Sequence, residues 1–189
     1  MQNIIDTLII IATSIQQNFT FILLLLFVLW VVHFINQASH YRLNNFGIYP
    51  RSPKGIPGVF ISPFLHGNTS HLVVNSLMLF VLATMVLING RPTFYSVSIT
   101  IILISGTLTW LFGRPGVHIG ASGLIMGYWG YLIINSYQHP TFLTIIIAIV
   151  CLYYFGGMFA NLFPRDKRIS WEGHVFGFIA GIVASFISL

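Results

Sequence analysis

The sequence predicts an all-α integral membrane protein with six membrane-crossing helices, and three observations carry that prediction. Of 189 residues, 56% are hydrophobic and only 6% charged, whereas a soluble domain needs roughly 25% charged residues to cover its surface in water. The charges stand at Asp6, Arg42, Arg51, Lys54, Arg91, Arg114, Arg165, Asp166, Lys167, Arg168 and Glu172, with long uncharged tracts between them. Turn-forming residues divide those tracts into pieces near the ~20 residues that a spanning helix requires.

The expected spans are residues 19–36, 69–89, 94–112, 119–137, 141–160 and 172–189. Ahead of the first, the N-terminus lacks a basic stretch, and its apolar run continues to Val32 without a small-residue cleavage site. It reads as a retained span preceded by a short amphipathic stretch, not as a removable signal. Asn89-Gly90-Arg91-Pro92 closes the second span, Gly113-Arg114-Pro115-Gly116 the third and Gln138-His139-Pro140 the fourth. The uncharged run from Pro115 to Pro164 is long enough for two spans, with Pro140 near its middle. Pro164 and the cluster Arg165-Asp166-Lys167-Arg168 mark a loop before the last helix.

The first connection, residues 37–68, is long for a loop and carries Phe46, Ile48, Tyr49, Ile56, Phe60 and Phe64. Loops of this length tend to be functional. The apolar content predicts a folded element lying in the membrane interface, where irregular backbone survives only if protein buries it or it faces a cavity. The length allows one helical bundle, so residues 1–189 read as a single domain with no internal repeat. Cys151 is the lone cysteine, which excludes an intramolecular disulfide. The net charge of +5 is too scattered for a nucleic-acid footprint.

The second, fourth and sixth helices cross in the same direction, so their N-termini share one face. His66, His71 and Asn75 precede or open the second, Ser122 opens the fourth, and His174 opens the sixth. The notable polar groups therefore gather at one depth, several ångströms below one surface at 1.5 Å per residue. A serine hydroxyl attacks well only when a base within hydrogen-bond reach takes its proton. His174 fits that base, and afterwards the acid that protonates the leaving amine. Glu172, the nearest acid, stands two residues from His174 and is expected on another helix face. A Ser122–His174 dyad is the economical reading.

Gly123 and Gly127 form a small-residue face on the fourth helix, and Gly173, Gly177 and Gly181 form one on the sixth. Such faces let membrane helices approach closely. The expected oxyanion donors are the backbone N–H of Ser122 with His71 and Asn75, which share a face of the second helix at i and i+4. His33, His40, His118 and His139 are expected at interfaces or in loops. The Gly-x-Ser-x-Gly elbow is not met, since Leu124 occupies its last position. His66 and His71, without a partnering acid, do not make a metal site, and no cofactor is expected.

These residues resemble the rhomboid intramembrane serine proteases from about residue 42 to the end. The matching pieces are Pro63-Phe64-Leu65-His66-Gly67, His71-Leu72-Val73-Val74-Asn75, Gly120-Ala121-Ser122-Gly123, and Gly173-His174 with Gly177 and Gly181. The resemblance implies a six-helix rhomboid-like bundle with a membrane-embedded first loop. It also implies Ser122 as nucleophile, His174 as base, and His71 with Asn75 at the oxyanion. The loop at about 156–171 would cap the site. Substrates would be single-span membrane proteins cut near small residues, in contact with membrane lipid and in a bacterial inner membrane.

Three departures accompany the likeness. Tyr41-Arg42 and Pro50-Arg51 stand where many members carry Trp-Arg, and Met126 replaces a tyrosine that packs on the base. The family arrangement, N-terminus inside, leaves Arg91 as the only inside cation, against the positive-inside rule. The long folded first loop counts poorly under that rule, so the family arrangement is adopted. Two rivals remain. A non-proteolytic rhomboid-like protein that binds membrane clients would commonly lack the serine or the histidine. A small transporter would carry polar groups on both sides of the midplane.

Overall fold

The structure, a computed structural model, describes residues 2–157 and 171–187. Its long helices are α1 (Gln2–Ala38), α3 (Thr69–Leu87), α4 (Arg91–Phe112), α5 (Ser122–Gln138), α6 (Phe142–Phe155) and α7 (Trp171–Ile187). A single-turn helix, α2 (Gly58–Ile61), lies in the first connection. Among the described residues there is no strand, only one antiparallel bridge between Ile48 and His118. Among the described residues three helices, α1, α3 and α4, are long and apolar enough to cross a membrane, while α6 and α7 are shorter apolar helices.

Helix α1 differs from expectation at its start. No glycine or proline interrupts residues 2–38, so the amphipathic lead-in and the first span are one helix of 37 residues, about 55 Å long. Its inner seam runs through Thr7, Ile11, Ser14, Asn18, Ile22, Leu25, Leu29, His33 and Asn36, all buried or half-buried. Leu23, Leu24, Phe27, Val28, Phe34 and Ile35 are exposed. A hydrocarbon surface of this extent on a helix edge fits lipid, not water.

Helix α5 is the centre of the bundle and packs against α3, α4, α6 and α7. Tyr128 and Trp129 are wholly buried on it. The Tyr128 hydroxyl shares a 2.6 Å hydrogen bond with Ser98 of α4, and Trp129 Nε1 donates to the Cys151 carbonyl of α6 at 3.1 Å. These side-chain bonds satisfy polar atoms that would cost several kcal/mol unpaired in hydrocarbon, of order 2–7 each. Cys151 itself is buried, as a packing residue would be.

The first connection is folded throughout. It winds through short turns at Arg42–Phe46, Pro53–Gly55, Gly58–Ile61 and Ser62–Phe64. Arg51 lashes it to the end of α4: its Nη1 donates to the carbonyls of Leu111 at 3.2 Å and Gly113 at 2.8 Å. A cation on the last carbonyls of a helix satisfies orphan acceptors and complements the helix dipole. Trp110 Nε1 returns a bond to the Ser52 carbonyl at 2.8 Å.

Candidate active site

Asn68 caps α3, its side chain accepting from the His71 backbone N–H at 2.8 Å. That cap sets the first turn of α3, on which His71 and Asn75 stand one turn apart. Asn75 Nδ2 lies 3.0 Å from His66 Nε2 and 3.1 Å from His71 Nε2. One amide nitrogen therefore lies within hydrogen-bond reach of two imidazoles at once. The two rings meet edge to face with centroids 5.2 Å apart. His66 is fully buried, and burial, with the neighbouring His71 charge second, lowers its pKa to about 4. It stays a neutral acceptor at physiological pH.

The segment from Gly113 to Ala121 delivers Ser122. It is pinned by the Ile48–His118 bridge and by the Gly120 N–H, which donates to the Ser62 carbonyl at 2.9 Å. Gly120 has φ +115°, and a Cβ there would stand 2.8 Å from His71 Cε1 and 3.7 Å from Asn75 Nδ2. Only glycine combines that backbone angle with that proximity. The peptide two residues before Ser122 thus lies flat against the His71–Asn75 pair.

Ser122 is the first residue of α5 and half-buried. His174 is the fourth residue of α7 and 8% exposed. The helix starts that carry them abut: a Cβ on Gly123 would be 3.3 Å from the Gly173 carbonyl. Further along, a Cβ on Gly177 would collide with the Gly123 carbonyl, and one on Gly181 with that of Gly127. The small faces expected from the sequence do meet, backbone against backbone. His174 also lies close enough to His71 for their charges to interact. Ser122, Gly173, Ser62, Ser105, Thr109 and His118 line a small cavity of about 40 Å³, room for more than one water.

Several features escaped the sequence reading. Glu172 is 5% exposed and its Oε1 lies 3.3 Å from Arg114 Nε, tying the segment before Ser122 to the first turn of α7. His33 is fully buried, and its Nε2 bonds Thr69 Oγ1, at the start of α3, at 3.1 Å. His118 is likewise buried, with Nε2 donating to the Arg114 carbonyl at 3.0 Å. His40 and His139 are exposed, as expected. Met126 is buried in the core. Among the described residues no group of His, Cys, Asp or Glu could hold a metal. The loop expected to cap the site falls largely on residues 158–170, outside the described residues.

Residues 54–189 match the model of the Rhomboid domain. The chain belongs to the rhomboid family. It is 34% identical over 177 residues to an uncharacterized protein of Mycobacterium bovis and to one of Mycobacterium tuberculosis, covering 89% of this chain and 74% of each relative. An uncharacterized protein of Mycobacterium leprae is 33% identical over 175 residues, covering 88% of the chain and 69% of that relative. Family membership and the lipid-facing apolar helices together make this an integral membrane protein.

Proposed function

We propose that this rhomboid is an intramembrane serine endopeptidase, acting on transmembrane or juxtamembrane segments of single-span membrane proteins. In this reading residues 1–189 form one six-span domain, its first connection lying in the interface of a bacterial inner membrane. Ser122 Oγ attacks the scissile carbonyl while His174 takes its proton. The tetrahedral oxyanion is met by the Ser122 N–H with His71 and Asn75. His174 then protonates the leaving amine, and water hydrolyses the acyl-enzyme with the same histidine as base. Water held beside Ser122, in the cavity walled by Ser105, Thr109 and His118, would supply that second step within an apolar surrounding.

The observation that carries the reading is the meeting of three helix starts. The glycine seam joins the first turns bearing Ser122 and His174, and Gly120 lies against His71 and Asn75. These approaches support a nucleophile, a base and two oxyanion candidates acting at one site. Glycines 120, 123, 127, 177 and 181 support it by keeping Cβ atoms out of the approach.

The test is cleavage of a single-span substrate by detergent-purified protein, with Ser122→Ala and His174→Ala alongside. The expected result is cleavage by wild type and at least about a thousandfold loss in each variant, as when one member of a coupled pair is removed. Absence of both cleavage and fluorophosphonate labelling at Ser122, in a well-folded preparation, transfers the assignment to a client-binding rhomboid-like protein.

A further inference from the structure

At the end of the bundle opposite Ser122, where α3 turns into α4, Arg91 is held in a prepared geometry. Its Nε donates to Asn18 Oδ1 at 3.0 Å, its Nη2 to the Gln17 carbonyl at 3.4 Å, and its guanidinium stacks 5.3 Å from the Phe21 ring centroid. Asn18 is 7% exposed, and its Nδ2 is anchored on the Ser14 carbonyl at 3.0 Å, so its oxygen is turned toward the arginine by construction. Two of the five guanidinium N–H donors are used in this bracing. The arginine itself is exposed.

The hollow before it measures about 550 Å³. Thr13, Ser14, Gln17 and Arg91 give it a polar side, and Ile10 and Leu87 a hydrocarbon side. Ile88 is common to this hollow and to a second groove of about 210 Å³ between α1, α3 and α6, lined almost wholly by apolar side chains. Among the described residues Arg91 is the one Lys or Arg at this end. Arg42, Arg51, Lys54 and Arg114 all stand at the Ser122 end. Asp6, the one acid on α1, is exposed and lies about three helical turns beyond Asn18.

We propose that this hollow is a binding site for one anionic phospholipid of the leaflet opposite the Ser122 face. Its phosphate is taken by the braced Arg91 guanidinium, and its acyl chains lie along the hydrocarbon walls beside Ile88. A fixed guanidinium offers a planar fork that matches phosphate oxygens, and bracing removes the rotamer cost of holding it there. Basic pockets between membrane helices recognise anionic headgroups by this chemistry. The threonine and serine hydroxyls add donors for the glycerol and phosphate oxygens. The inference is independent of any proteolytic activity.

The test is thermal unfolding and native mass spectrometry of the delipidated protein in detergent, titrated separately with phosphatidylglycerol, phosphatidylcholine and glycerol phosphate. Phosphatidylglycerol is expected to bind and raise the melting temperature by several degrees, with phosphatidylcholine at least tenfold weaker and glycerol phosphate without effect. Arg91→Gln should weaken phosphatidylglycerol at least tenfold and leave phosphatidylcholine unchanged. Thr13→Trp, which fills the hollow while keeping Arg91, Asn18 and Gln17 in the chain, should do the same and guards against a folding defect in the arginine variant. Equal binding of both lipids, or phosphatidylglycerol binding that survives both variants, overturns the site. Stabilisation by glycerol phosphate alone makes it an anion site and not a lipid site, which also overturns it.

Discussion

Arg114 Nε and Glu172 Oε1 stand 3.3 Å apart, joining the segment that leads into Ser122 to the first turn of the helix that carries His174. The pair is lopsided: the arginine side chain is 34% exposed and the glutamate side chain 7%. Glu172 Oε2 is buried and has no hydrogen-bond partner among the described residues. An acid in the first turn is favoured by the helix dipole, but burial makes this carboxylate dependent on its partner.

Removing the two partners should therefore have unequal effects. Arg114→Met strands a buried carboxylate and is expected to destabilise by about 3–5 kcal/mol. Glu172→Gln leaves an arginine that water can solvate, and should cost about 1–2 kcal/mol. Melting temperatures in detergent would read this order, and a glutamine variant melting below the methionine variant would contradict it.

The glycine seam makes a second contrast. Gly181→Ala drives a Cβ into the Gly127 carbonyl, a main-chain atom that cannot rotate away. Overpacking of this kind costs about 1–3 kcal/mol, and separation of α5 from α7 should reduce cleavage more than tenfold. At Gly67 a Cβ would meet only Ile119 Cδ1 at 3.8 Å. Gly67→Ala should leave both melting and cleavage near wild type.

His71 and Asn75 are proposed to act on the oxyanion, and truncation separates that role from substrate binding. Asn75→Ala is expected to lower kcat by about 10²–10³, the usual loss for one oxyanion donor, with KM changed little. A variant that raised KM while keeping kcat would place Asn75 in ordinary substrate contact.

The buried His66 predicts a pH dependence of stability. The unfolded chain takes a proton on this ring near pH 6.5, the folded chain only at about 4. Between those values the unfolded state binds more protons, so stability is complete above about pH 6.5 and falls as pH drops toward 4. The full span is worth about 3 kcal/mol. His66→Asn, which keeps an acceptor for Asn75, should flatten the melting curve against pH between 7 and 4.5. An equal acid slope in that variant would assign the effect to another group.

How far the sequence reached depended on how local each signal was. Turns at Asn89–Pro92, Gly113–Gly116 and Gln138–Pro140 were legible because glycine and proline act within a few residues, and the structure breaks its helices there. The small faces of α5 and α7 were legible because their periods matched. The continuity of α1 was missed because a change from polar to apolar composition does not by itself end a helix. The partner of Glu172 was missed for a different reason. Its helix face was deduced relative to His174, but its partner comes from a segment 58 residues away, and no spacing rule connects Arg114 to Glu172. His33 likewise meets Thr69 across 36 residues. Pairings of this kind are set by tertiary docking, which residue periodicity does not encode.

The seam between α5 and α7 is made of peptide groups, and peptide groups have no rotamers. Elsewhere in a protein, drift in side-chain size can be absorbed by neighbours turning aside, and the distance between two helices wanders with it. Here the distance is a property of the main chain. Substitutions accumulating on the outer faces of these two helices can reshape the walls around Ser122 and His174, and so what those walls admit, while the separation of the helix axes stays put.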